Sequence, residues 1–599
     1  MSHLLNTLLQ PLRNGQPVAI VSGRDLADLE ATADGRILPL LEVLRTGLWE
    51  QGHVLVEFSR SFGLRADCKA MAPADQATMN DVLARLSQVP ADRPIQEDRD
   101  LRRFNALLTG LLELSRLEQG NRPMLSGGRP LQLVVLVHYS EHLLAKSEPA
   151  HKTDLQIRAL EGVLELGKSL AFRRSGHALV LSEARPQLMD ELLYRNLATM
   201  TFPQPNAEAK AVFVDALVRR YPHARMELAD PQEVAHAASN TPNRSLEGIW
   251  SAADRERSTI DLDQVFARKQ RDIGTLSEGT LVALDQESNK RIELTGHMVE
   301  RPRSILFRVA EGIRRGDLST MRNILLVGPP SSGKTQLAMQ VAALAGVPAF
   351  ELVTGRSMYV GESERKTRLQ LNLLREQGHC MGLIDEVEHM LPMDRTKDTH
   401  DGGVTQSIMG MYQTFLADPS LSGRLAIVAT SNRPFAISDA MRQRWVVVPV
   451  FSALAQDMPE IVRLLAARLG LNGLDDQVLR EAAARFHANG ASPREIREAI
   501  IAARSVSDGQ GSDNDTLLRA ANSIIGATDQ GSTVLGDLAA LQFCRSSLML
   551  PWHDAASGAF LPDFQMPAHI KPIVDASTGA IDQQELGKTV EALRSQVNI

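Results

Sequence analysis

The chain has 599 residues, 43% hydrophobic and 23% charged, with a net charge of -7 and a pI near 6.1. That length accommodates about three or four domains with stable cores, and the acidic balance disfavours nucleic acid or an anionic membrane as the main partner, because both attract a basic face. No apolar run approaches the roughly 18 residues of a membrane span, residues 1–11 lack a cationic start followed by an apolar core, and Cys68, Cys380 and Cys544 are too scattered for a disulfide framework or a zinc knuckle; a cytoplasmic protein is expected.

Short apolar strands at 18–21, 54–58, 133–137, 178–181 and 199–202 alternate with helical runs, which predicts an α/β layer around a parallel sheet. Residues 138–142, His-Tyr-Ser-Glu-His, match an inverted zinc-protease pattern that needs both histidines and the glutamate on one helix. His138 follows directly on a buried strand, so a strand-end turn is the expected structure. The helical run 207–220 reads as a lid-like continuation of this layer. Residues 221–300, with a further helical run at 260–271 and polar breaks at 240–244 and 285–290, read as a connector.

Residues 324–335 read Ile-Leu-Leu-Val-Gly-Pro-Pro-Ser-Ser-Gly-Lys-Thr, an apolar strand and a glycine-bounded loop whose lysine and hydroxyl open a helical run to 345. Such a loop turns its N–H groups towards phosphate oxygens. Gly328 and Gly333 permit the tight turn, Lys334 reaches the outer phosphates, and the Thr335 hydroxyl can ligate Mg2+; Pro329, Pro330, Ser331, Ser332 and Gln336 complete the candidate phosphate cradle. The strand at 381–386 ends in Asp385 and Glu386, which suits a carboxylate holding Mg2+ through water beside one polarising the attacking water. The strand at 426–432 ends in Asn432, placed to sense a terminal phosphate. Arg442 and Arg444 follow in Asp-Ala-Met-Arg-Gln-Arg-Trp and are candidates for a finger into a neighbouring subunit's site.

These motifs resemble the AAA clade of AAA+ ATPases over roughly residues 300–506. The resemblance implies a Walker A loop at 328–335, Walker B at Asp385 and Glu386, sensor 1 at Asn432 and an arginine finger at Arg444, with Arg442 as the alternative. It implies ATP and Mg2+ as cofactors, Thr335 and Asp385 as metal ligands, and a homo-oligomeric ring, expected to be a hexamer. Ser331-Ser332 departs from the clade's usual Gly-Thr, and Gln443 stands where some members carry a finger arginine. Tyr359, Val360 and Gly361, within Ser-Met-Tyr-Val-Gly-Glu-Ser-Glu-Arg, match the triplet that faces the central pore and grips extended polypeptide; an aromatic ring packs on any side chain and glycine lets the loop bend. Residues 391–403 read as a second pore loop or as a plain solvated connection. In the lid, Ser492-Pro-Arg-Glu495 is a capping box that predicts a helix start, and Arg494 occupies the place of the sensor 2 arginine of other AAA+ branches.

Spacing in the first 220 residues repeats that of the motor. His138 and Arg185 are 47 residues apart and Asp385 and Arg433 are 48 apart; Arg185 to Pro203 spans 18 and Arg433 to Pro449 spans 16. Residues 1–220 are therefore read as a degenerate ATPase-like α/β domain, without Gly-Lys-Thr after Ser22-Gly23 and with His138-Tyr139 in place of the acidic pair. This arrangement resembles the Ycf-type ATPases of bacteria and plastids. The predicted fold class is α/β: a degenerate domain, the 221–300 connector, a parallel-sheet P-loop AAA+ core at 301–455, a small helical lid at 456–506, and a mostly helical C-terminal extension at 507–599, periodic at 538–550 and 583–597. The leading expectation is an ATP-driven remodeller or unfoldase acting on an unidentified protein substrate. The alternatives are a non-threading assembly or activase-type chaperone and, last, a nucleic-acid motor.

Overall fold

The computed structural model describes every residue except 1, 33, 89–97, 148–150, 184–188, 227–230, 240, 278, 354–361, 391–403, 507–511, 526–529 and 598–599. Internal contacts divide the chain into two units, residues 1–227 with 240–260, and residues 228–239 with 261–599. The stretch 221–300, read as one connector, is thus shared between them. Its polar break at 240–244 opens a helix, α1 (Asn243–Glu256), and that at 285–290 forms the short helix Gln286–Lys290 capped by Asp285.

In the first unit, β1 (Val18–Gly23), β2 (His53–Ser59), β3 (Gln132–Val137), β4 (Ala178–Ser182) and β5 (Ala198–Phe202) pair in parallel in the order β5-β1-β4-β3-β2, and Gly63–Arg65 adds an antiparallel strand beside β2. The strands are nearly continuous apolar runs because helices cover both faces. Alternation divides them: Val18, Ile20, Val54, Val56 and Phe58 join one core, while Ala19, Val21, Leu55, Val134 and Leu136 join the other. Each fully buried aliphatic side chain contributes about 1.5–3 kcal/mol. The inverted zinc pattern is a strand-end turn, as expected. Tyr139 is left-handed and Ser140–His142 make a single 3-10 turn. His138 Nε2 lies 3.2 Å from Glu57 Oε2, a carboxylate also held by Arg45 and Arg65 and drawn down to about 2, chiefly by the His138 hydrogen bond. Among the described residues no cluster of His, Cys, Asp and Glu could hold a metal.

The second unit repeats the order. Its strands β6 (Asn323–Val327), β7 (Ala349–Leu352), β8 (Cys380–Ile384), β9 (Leu425–Ser431) and β10 (Val446–Pro449) run β10-β6-β9-β8-β7, with Leu281–Ala283 antiparallel beside β7. Two backbone details recur as well. A Cβ on Gly23, at the end of β1, would lie 2.4 Å from the Phe202 carbonyl oxygen, and one on Gly328, just past β6, would lie 1.9 Å from that of Val450. Two residues beyond the third strand of each sheet, Tyr139 and Glu386 both adopt positive φ, 50° and 48°.

The helices read from sequence as a lid follow α2 (His297–Arg315) and α3 (Lys334–Leu344). They are α4 (Met458–Arg468), Asp476–Ala488 and α5 (Pro493–Val506), packed around Val462, Phe486 and Ile496. The Ser492 capping box is present: Glu495 N donates to Ser492 Oγ at 3.3 Å and Ser492 N to Glu495 Oε2 at 2.8 Å. The chain beyond residue 511 does not stand apart. Asp513–Ser523 buries Leu517 and Ala520 in the lid core. Helix α6 (Gln530–Phe543) then returns to the large sheet, where Leu535, Leu538 and Leu541 share a core with Val327, Ile384 and Phe451. The predicted helix at 538–550 therefore starts earlier and ends at Phe543, and the last helix, α7 (Gln583–Val597), has the predicted bounds.

Candidate functional site

In an open parallel sheet, ligands bind beyond the carboxyl ends of the strands, where the strand order reverses. In the second unit that point lies past β6, between β10 and β9. There the loop 328–333 turns sharply, with Ser331 at φ 61° and Gly333 at φ 85° immediately ahead of α3. The Gly328 contact with Val450 leaves no room for a side chain, so glycine is required there by backbone approach.

Lys334 is 5% exposed, and its Nζ donates to Gly328 O at 3.1 Å, Pro329 O at 2.7 Å and Ser332 Oγ at 3.2 Å. Burial pushes its ammonium down to about 8, while Glu388, Asp385, Asp537 and Glu386 favour the charged form. Thr335 Oγ1 donates to Asp385 Oδ1 at 2.6 Å, and the buried Thr430 Oγ1 reaches the same oxygen at 2.6 Å. Thr430 Oγ1 also accepts the Glu386 N–H at 3.0 Å. Both oxygens of Glu386 are engaged: Asn432 Nδ2 donates to Oε1 at 3.1 Å, and His389 Nε2 lies 3.3 Å from Oε2. A positive φ on a glutamate is a strained conformation of the sort that collects at functional sites.

These groups surround a cleft of about 730 Å³ whose walls include Lys334 and Thr335 at the start of α3, Asp385, Glu386 and Asn432 past the ends of β8 and β9, and Arg468, Arg494 and Arg497 from α4 and α5. A smaller, more apolar cavity of about 240 Å³ adjoins it, sharing Pro330, Ser331, Gly333 and Arg468 and lined by Met298, Phe451 and Ile461. Of the residues singled out from sequence, the loop, the acidic pair, Asn432 and Arg494 thus come together. Arg494 is largely exposed, with its Nε 3.2 Å from Glu498 Oε1. Arg442 and Arg444 are not among the cleft residues. Arg442 pairs with Asp439 and stacks on Phe543, its guanidinium carbon 4.5 Å from the ring centroid. Arg444 donates to Gln413 O at 3.3 Å and to Ala440 O. Tyr359, Val360, Gly361 and the loop 391–403 lie outside the described residues.

Sequence reasoning missed three contributors. Thr430 steers Asp385, and Glu388, 6% exposed, accepts the N–H groups of Asn432 and Arg433 at 3.0 and 3.2 Å and so aims the Asn432 side chain. Arg497 lies three residues past Arg494, one turn along the same helix face, a spacing that was legible in the sequence. In the first unit the corresponding loop is filled by its own side chains. Arg24, past β1, is 5% exposed; its Nε lies 2.7 Å from Asp28 and its Nη1 2.6 Å from Glu30. Asp28 also caps the start of α1 by accepting from Asn243 N at 3.1 Å and Arg244 N at 2.8 Å.

Residues 324–451 match the family described as "ATPase family associated with various cellular activities (AAA)". Spastin of Xenopus laevis is 30% identical over 145 residues, 24% of this chain and 24% of its own. Spastin of Gallus gallus is 32% identical over 126 residues, 21% of this chain and 20% of its own. A katanin p60 ATPase of Rattus norvegicus, the A-like 1 form, is 30% identical over 141 residues, 22% of this chain and 28% of its own. The chain spans about a quarter of the length of the curated relatives it matches. No helix among the described residues is long and apolar enough to cross a membrane.

Proposed function

We propose that this protein is an AAA+ ATPase that couples ATP hydrolysis at the cleft between large sheet and lid to the remodelling of a protein substrate. The convergence of Lys334, Thr335, Asp385, Glu386 and Asn432 on one cleft carries this reading, and the similarity of residues 324–451 to AAA ATPases supports it. The donor set fits a magnesium nucleotide. Thr335 Oγ1 and Asp385 offer adjoining hard oxygens; among the described residues, the Lys334 ammonium is met by loop oxygens that a phosphate would replace, and the buried acceptor Asn432 Oδ1 has no partner. Bound Mg2+ would neutralise developing charge on the phosphates.

In this reading the loop N–H groups and Lys334 hold the phosphates, and Thr430 keeps Asp385 turned to Thr335. Glu386 accepts a proton from the attacking water once one of its oxygens leaves Asn432 or His389, and Asn432 orients that water. The base occupies the apolar cavity beside Phe451, and Arg494 or Arg497 meets phosphate as the lid closes. Arg444 or Arg442 serves a neighbouring copy in a homo-oligomeric ring, with a hexamer as the expected size. Tyr359, Val360 and Gly361 contact the substrate chain. A purified sample that releases no phosphate from ATP with Mg2+, alone or with an unfolded protein such as casein, overturns the reading.

The first unit is, in our reading, a degenerate copy of the motor, in the manner of the Ycf-type ATPases. The shared strand order, the paired Gly23 and Gly328 contacts and the paired positive φ of Tyr139 and Glu386 support this. With Arg24 and its carboxylates filling the loop, one nucleotide per chain is expected. Equilibrium dialysis with radiolabelled ATPγS measures this, and a stoichiometry of two would refute the plugged copy.

The Lys334 ammonium sets a pH dependence. Its value is depressed from 10.5 to about 8 by burial, so from pH 8 upward the free site loses its cation, whereas bound phosphate favours it. Nucleotide binding between pH 8 and 10.5 should therefore take up a proton, and affinity should fall as pH rises through that window, by up to tenfold per unit. Calorimetric titrations in buffers of different ionisation enthalpy read the proton directly; no uptake at pH 9 would contradict the assignment.

A further inference from the structure

The chain beyond residue 511 has no role in the reading above, yet α6 lies directly on the phosphate loop. A Cβ on Gly536 would sit 2.6 Å from Pro329 Cα and 2.9 Å from its nitrogen, so the helix backbone touches the loop at a distance only glycine permits. One residue on, Asp537 is fully buried and accepts three hydrogen bonds: Ser452 N at 2.9 Å, Ser452 Oγ at 2.5 Å and His569 Nε2 at 2.9 Å.

Ser452 occupies the segment between β10 and α4, where the large sheet hands over to the lid. Two residues earlier, Val450 presses its carbonyl on Gly328 and donates its N–H to Val327 O at 2.8 Å. One carboxylate thus fixes a segment that borders the phosphate loop on one side and begins the lid on the other. Asp537 is also among the negative groups that favour the charged form of Lys334. A buried carboxylate must keep its donors, because each one lost leaves desolvation uncompensated; Ser452 and His569 are therefore bound to α6 in fixed geometry.

We propose that residues 530–597 are part of the nucleotide site, with Asp537 a positioning residue that holds the hinge at 450–452, and through it loop and lid, in the geometry that accepts ATP. This rests on the ATPase reading. The test uses the full-length chain and its Asp537→Asn, Ser452→Ala and His569→Gln variants, measuring the Kd for ATPγS with Mg2+, steady-state KM and kcat, and the Tm without nucleotide. Asp537→Asn should raise Kd and KM by about tenfold or more with kcat within about twofold, and the other two should move Kd in the same direction by less. A purely structural role would lower Tm and leave the Kd of the folded protein unchanged, and that result overturns the proposal. If Asp537→Asn does not fold, a Kd within about twofold of wild type in both other variants overturns it equally. Wild-type protein that binds no ATPγS would instead sink the ATPase reading itself.

Discussion

Glu386→Gln is expected to lower ATP turnover by about 10²–10⁴-fold, the usual contribution of a positioned general base, while ATP still binds. The substitution is nearly isosteric, and both side-chain partners can stay: Asn432 Nδ2 can still donate to the amide oxygen, and His389 can meet the amide through its other tautomer. What disappears is the basic oxygen able to accept a proton from water. Lys334, Thr335 and Asp385 are untouched, so affinity for nucleotide should stay within a few-fold. In our reading the variant accumulates with ATP bound and the ring closed. Phosphate-release kinetics and nucleotide binding measured side by side provide the check. Turnover above about half the wild-type rate would remove Glu386 from the chemistry and with it the proposed mechanism.

Gly328→Ala should abolish measurable nucleotide binding although it adds a single methyl. The new Cβ would lie 1.9 Å from the Val450 carbonyl oxygen and 3.0 Å from its carbon. Both are backbone atoms, and Val450 N is itself bonded to Val327 O, so the clash cannot be relieved by turning a side chain. The loop must shift, and the oxygens that hold Lys334 Nζ at 2.7 to 3.2 Å shift with it. Inserting volume into packed structure costs about 1–3 kcal/mol where side chains can adjust; a backbone collision belongs at or above the top of that range. Gly410→Ala is the matched control. It lies within the helix Val404–Ala417 with nothing among the described residues inside 4 Å of the added carbon, and Ala in a helix is favoured over Gly by about 0.5–1 kcal/mol. Thermal melts with and without ATPγS should show the nucleotide-induced rise in Tm intact in Gly410→Ala and missing in Gly328→Ala. A normal nucleotide shift in Gly328→Ala would mean that the loop does not hold phosphate in this conformation.

Local features are legible in the sequence because each is written in a short stretch of chain. Buried parallel strands announce themselves as apolar runs, the capping box at Ser492 as four residues, and the phosphate loop as a glycine-bounded turn ahead of a lysine. Where the signal needs periodicity over a buried face, it slips: α6 opens on Gln530, Gly531, Ser532 and Thr533 and carries Gly536 and the buried Asp537 among its next residues, so its first turns show no apolar stripe and periodicity puts its start eight residues late. The break at 285–290 looks like a loop because helix-cap residues are polar, and Asp285 is polar for that reason; at 240–244 the polar Asn243 opens α1 but its side chain serves a buried contact, accepting from Lys210 Nζ at 2.7 Å and donating to Leu29 O at 2.8 Å.

By itself, then, the sequence determined which residues carry charge, hydroxyl and amide groups into the cleft, since Lys334 and Thr335 open the helix after the glycine-bounded loop and Asp385, Glu386 and Asn432 follow strand ends whose order along the chain is written in the motifs. Only the tertiary structure decided what holds them. Thr430 beneath Asp385, Val450 against Gly328, Gly536 against Pro329 and Asp537 on Ser452 are contacts between segments as far apart as 207 residues. The physical reason is that positioning by packing and buried hydrogen bonds depends on which surfaces meet after folding, and a glycine or an aspartate looks the same in sequence whether it faces water or a neighbouring backbone.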